Sequence, residues 1–92
     1  AAELQRLAGI AKRFGGVVVE VQGHTDSEGD AGRNLTLSER RAEAVADELV
    51  RLGVPEDDVT FRGFGETELI RDENGAEIAD QSRRVVFAVT LR

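Results

Sequence analysis

The sequence predicts an α/β domain in which two main helices pack on a small, mixed sheet of about three strands. Three observations carry that prediction. "VVVEVQ" and "VTFRGFG" alternate as strands do, a helical pattern long enough for a right-handed crossover joins them, and "RRVVFAVTLR" supplies a closing strand. The chain opens with "ELQRLAGIAKRF", residues 3 to 14, where Leu4, Leu7, Ala8, Ile10, Ala11 and Phe14 recur at helical spacing before Gly15 and Gly16 stop the pattern. Strand one then runs from about 17 to 22, with Val17, Val19 and Val21 on one face and Val18, Glu20 and Gln22 on the other. Gly23 to Asn34 reads as a loop of about a dozen residues, long enough to suggest function. Thr36 and Glu39 form a capping-box pattern, so helix two is expected over about 37 to 52, ending at Gly53. A turn around Pro55 leads to strand two, about 58 to 64. Residues 65 to 82 are polar, with a short helical piece near 76 to 81, and Val85 to Leu91 alternate in the last strand. A chain that starts on a helix in such a pattern implies an earlier strand, removed or lying upstream.

The chain has 92 residues, the size of one domain, and 40% hydrophobic content with 33% charge excludes the composition of a disordered segment. It contains no cysteine, which rules out disulfides, zinc-thiolate sites and a thiol nucleophile. The apolar runs span only a few residues, against roughly 20 for a membrane helix, so this segment is not expected to insert in a bilayer. A net charge of -6 argues against nucleic acid as a partner.

Helical register places Arg41 four residues from both Leu37 and Val45, on their side of helix two, while Arg40 points elsewhere. Near the start of a helix such a guanidinium favours a bound anion. The nearest acceptor is Asp26, at the C-terminal end of strand one, which is the edge where open α/β sheets bind ligands. Two readings of this pair stand together: a salt bridge stapling the loop, or a site presenting one group of each sign.

The ordered motifs Gly23-His24-Thr25-Asp26, Gly29, Asn34, Leu37-Ser38, Arg41-Ala42, Gly53-Val54, Gly63-Phe64-Gly65-Glu66 and Arg83-Arg84-Val85 resemble those of the OmpA-like C-terminal domain family, which includes the domains of OmpA-type proteins, Pal and MotB. The resemblance runs from about residue 17 to the end. It implies a β/α/β/α/β architecture whose first strand has no counterpart here, so residues 1 to 92 are expected to be a single, N-terminally truncated OmpA-like domain. It also implies non-covalent binding to peptidoglycan through the diaminopimelate of the stem peptide, Asp26 meeting the ligand's ammonium and Arg41 its carboxylate. By the same resemblance Thr25, the backbone N–H groups of Thr25 to Gly29, Asn34 and Arg83 support that pocket. No cofactor, metal or catalytic residue is implied, and the parent protein is expected in the cell envelope, anchored to a membrane through a segment not present here. Homodimerisation is a further expectation. Ser82 and Leu69 stand where the family usually has Asn and Pro, and "ENGAEIADQ" departs from its usual wording. These departures carry the alternative: an interaction or assembly module that no longer binds peptidoglycan.

Other chemistries fit less well. Asp26, Glu28 and Asp30 alternate as in a calcium loop, but the glycines fall at the wrong places and Leu37 occupies the position of the bidentate Glu. His24 is alone and cannot assemble a metal centre. "GFGE" lacks the context of a dinucleotide fingerprint, and Ser38 has no third partner that would make it a nucleophile. The sequence therefore indicates a binding domain rather than an enzyme.

Overall fold

A computed structural model describes residues 2–14 and 16–91. Helix α1 (Ala2–Phe14) leads into strand β1 (Val17–His24), helix α2 (Ala31–Arg51) and a 3-10 turn over Glu56–Asp58. Strand β2 (Val59–Gly65), the short helix α3 (Ala79–Ser82) and strand β3 (Val85–Leu91) complete the order. The strands lie β2-β1-β3, with β1 parallel to β2 and antiparallel to β3. The sheet is thus mixed, and the predicted α/β class is the one observed.

Alternation in β1 decides what faces the helices. Val17, Val19 and Val21 are buried with Ala8 and Ala11 of α1 and Ala42, Ala46 and Leu49 of α2, so both helices cover one face of the sheet. Leu4 and Leu7 pack at the edge of this core, whereas Ile10, read as part of the same stripe, is exposed. The side chain of Phe14 and the whole of Gly15 lie outside the described residues. Gly16, at φ 69°, takes the left-handed conformation that redirects the chain into β1.

Helix α2 begins earlier than the sequence suggests. Asp30 caps it: its Oδ1 accepts from the Arg33 backbone N–H at 2.9 Å, and its carbonyl receives the Asn34 N–H at 3.0 Å. Thr36 lies inside the helix, donating its hydroxyl to the Gly32 carbonyl at 3.2 Å, so it is not a cap. Gly32 and Asn34, weak helix formers, disguised this first turn. The loop shrinks to the few residues between His24 and Ala31.

The register of α2 differs correspondingly. Asn34, Ser38, Ala42, Ala46 and Leu49 are its buried residues, while Leu37 and Arg41 are exposed. Arg41 lies about 60° from Ser38 around the helix, on the shoulder of the buried face rather than within it. Small residues face the sheet because the backbones approach closely. A Cβ on Gly23 would lie 2.3 Å from the Ser38 carbonyl oxygen, and one on Gly63 would lie 2.5 Å from the Glu39 nitrogen. The glycines of "GHTD" and "GFGE" are therefore contact points for α2. Ser38 completes the seam, its hydroxyl donating to the Leu35 carbonyl at 2.8 Å and accepting the Gly65 N–H at 2.9 Å.

Candidate functional site

The end of β1 is tied to both neighbours: the His24 N–H donates to the Arg84 carbonyl and the Thr25 N–H to the Gly65 carbonyl, each at 2.9 Å. Pinned on both sides, the chain delivers Asp26 to the rim of the sheet beside the first half of α2. Thr25 is buried, and its hydroxyl donates to the Asp26 carbonyl at 2.9 Å. Asn34 reaches back from α2, donating its amide to the Glu28 carbonyl at 3.0 Å and, at longer range, to the Asp26 carbonyl at 3.4 Å. Both residues thus hold the loop's main chain in place.

Asp26 is itself engaged. Its Oδ1 accepts the Glu28 N–H at 3.1 Å and its Oδ2 accepts Nη1 of Arg83 at 2.5 Å. Those hydrogen bonds hold its carboxyl below the usual carboxylate range, the Arg83 contact first and the Glu28 N–H second, with burial opposing them and the nearby charge of Arg41 adding a smaller effect. Arg83 is correspondingly held in its protonated form, chiefly by Asp26. Its second nitrogen, Nη2, donates to Asp80.

The pair expected from sequence is therefore partnered differently. Asp26 pairs with Arg83, 57 residues away, and the reading of Asp26 and Arg41 as a structural staple is not what forms. Arg41 acts on Asp26 through its charge alone, and among the described residues its guanidinium makes no ion pair or hydrogen bond. It lies in the third turn of α2, too far along for the helix's N-terminal dipole to matter as the sequence suggested. The loop's N–H groups are also committed in part, Thr25 to Gly65, Ser27 to Glu77 and Glu28 to Asp26.

Two acidic residues at this rim were not anticipated. Glu77 accepts from both the backbone N–H of Ser27, at 2.8 Å, and its hydroxyl, at 2.5 Å, clasping the Asp26 loop to the segment before α3. Asp80 grips Arg83 from the other side. Neither has a motif of its own; only the path of residues 66–82 brings them here. That path hangs on Ser82, fully buried, whose hydroxyl accepts the Ile70 N–H at 3.0 Å and donates to the Ile78 carbonyl at 2.9 Å. Ser82 thus supplies the contacts that order the wall of the site.

Chemically, the rim offers a charged carboxylate, an unengaged guanidinium and a second guanidinium shared by two carboxylates. It suits a small ligand carrying both signs, held at an open surface. A groove of about 670 Å³, lined by Asp30, Arg33, Leu37 and Arg40 among others, lies on the flank of α2 and meets the rim at Glu28 and Asn34. Among the described residues no cluster of three or more His, Cys, Asp or Glu side chains could hold a metal ion, and no helix is long and apolar enough to cross a membrane.

A sequence profile of the OmpA family matches residues 1–84. The outer-membrane lipoprotein YfiB of Pseudomonas aeruginosa is 39% identical over 71 residues, 77% of this chain and 42% of that protein. Outer membrane porin F of the same organism is 41% identical over 85 residues, covering 91% of this chain and 24% of the porin. The chain spans less than half the length of either relative. Among solved structures, the peptidoglycan-associated lipoprotein of Burkholderia pseudomallei superposes with a TM-score of 0.83 at 30% identity, over 97% of this chain and 75% of that one. The C-terminal domain of Helicobacter pylori MotB shares the fold, with a TM-score of 0.84 at 24% identity over 99% of this chain and 71% of that one. These relatives are lipoproteins, porins and a periplasmic domain of the cell envelope, not enzymes.

Proposed function

Because the chain belongs to the OmpA family, we propose that it binds peptidoglycan non-covalently, through the diaminopimelate of the stem peptide, and anchors a cell-envelope protein to the wall. One observation carries this reading. Asp26, held charged, and Arg41, with no partner of its own among the described residues, stand at one rim with opposite signs. The ligand's amino-acid end is a zwitterion, and a carboxylate with a nearby guanidinium matches it charge for charge. The same reading places the parent protein in the cell envelope, held at a membrane. Co-sedimentation with purified sacculi tests the assignment. Arg41→Ala and Asp26→Ala are expected to lower binding by roughly tenfold or more, the scale of a lost charge-assisted hydrogen bond. Arg41→Ala should melt like the parent, since its side chain is exposed and unpaired. Binding equal to the parent in both variants would reject the clamp.

The second reading, a protein-interaction or assembly module that includes pairing of two copies, draws on β3. Its outer edge is unpaired among the described residues, and Val89 and Leu91 are exposed on the face that the helices cover elsewhere. Sedimentation velocity of the isolated chain distinguishes it: a concentration-dependent dimer that Leu91→Asp dissolves, with no affinity for sacculi, would favour this reading.

A further inference from the structure

Arg83 is shared between two carboxylates: Nη1 donates to Asp26 and Nη2 to Asp80. Both oxygens of Asp26 are already engaged, one by the Glu28 N–H and one by Arg83. An ammonium arriving at Asp26 meets a carboxylate that already accepts from a guanidinium, so the ligand competes with Arg83 for it. A guanidinium released from Asp26 keeps an ion-pair partner in Asp80.

We propose that Asp80 is a positioning residue for the Asp26 site: it retains Arg83 when a ligand ammonium takes Asp26. This rests on the peptidoglycan reading and describes how the same site is regulated. The geometry fits a transfer. Asp80 lies three residues before Arg83, so the two remain neighbours whatever Asp26 binds, and Ser82 between them fixes the turn through the Ile70 and Ile78 backbone. The Asp80 side chain is 90% exposed and contributes little to packing, so its removal separates site behaviour from folding. Once moved, the Nη1 edge of Arg83 is free to donate to the ligand's own carboxylate. In the empty state Arg83 keeps Asp26 compensated, and unrelated cations meet an occupied carboxylate.

The test is a double-mutant cycle read by calorimetric titration with meso-diaminopimelate. Asp80→Asn should weaken binding about 3- to 10-fold with an unchanged melting temperature, and Asp80→Glu should restore it. In an Arg83→Gln background the same Asp80→Asn change should have no effect, because no guanidinium remains to be received. An equal loss in both backgrounds, or no loss in either, overturns the role of Asp80 while leaving the peptidoglycan reading intact. A folded parent that binds no diaminopimelate overturns both.

Discussion

His24 shows how much one side chain at the end of β1 is asked to do. It is 1% exposed, stacks on Phe64 with ring centroids 5.1 Å apart, and leaves Nδ1 without a partner among the described residues. Arg62 lies over the same Phe64 ring at 4.6 Å. Burial, then the charge of Arg84, lowers the imidazole's pKa from 6.5, with Glu68 opposing. The folded state therefore keeps His24 neutral in a range where the unfolded chain would protonate it. Its contribution to stability is complete above about pH 6.5 and is lost as pH falls through the folded value. Melting temperatures of the parent should drop from pH 7 toward pH 5, and His24→Gln should flatten that slope; an unchanged slope would exclude His24 as its origin. Asp26 has the same sign further into acid: its pairing with Arg83 is present above the ordinary carboxylate range and lost as pH falls through its depressed pKa.

Between elements, the contact that matters most is α2 against β1 and β2. Gly63→Ala would set a methyl group 2.4 Å from the Glu39 Cγ and 2.7 Å from the Ser38 hydroxyl. Overpacking of this kind costs about 1–3 kcal/mol and occasionally more. A urea midpoint for Gly63→Ala equal to the parent's would show that helix and sheet are not seated as described. The strands were readable because valines alternate, and the end of α2 because Gly53, at φ 106°, follows its last turn. Its start was not, since Gly32 and Asn34 carry loop preferences that the Asp30 cap and the close sheet contact override. The site was legible to the same degree. Asp26 follows from its place at a strand end, but its pairing with Arg83 depends on the course of residues 66–82, which no periodicity reports.

For the molecule as a whole, the core is small and aliphatic. Nine hydrophobic residues are buried in the described core, most of them Val or Ala, and Leu49 is the bulkiest fully buried side chain. Leu49→Ala should therefore cost about 2–5 kcal/mol, a large part of what a domain of this size has to spend. Chemical unfolding should remain a single transition shifted to lower denaturant, with loss of sacculus binding tracking loss of fold. Arg41→Ala should show the opposite pattern, binding lost with the fold kept, and the two variants together separate architecture from recognition.

The glycine seam has one more consequence. Arg41 rides on α2 and Asp26 follows the end of β1, so the spacing of the two backbones from which their charges project is the distance at which the helix comes to rest on the sheet. That distance is set by backbone against backbone at Gly23, and at Gly63 by the Glu39 backbone nitrogen together with the Glu39 and Ser38 side chains. Two missing methyl groups thus act as a gauge on the backbone spacing from which cation and anion reach a ligand that touches both.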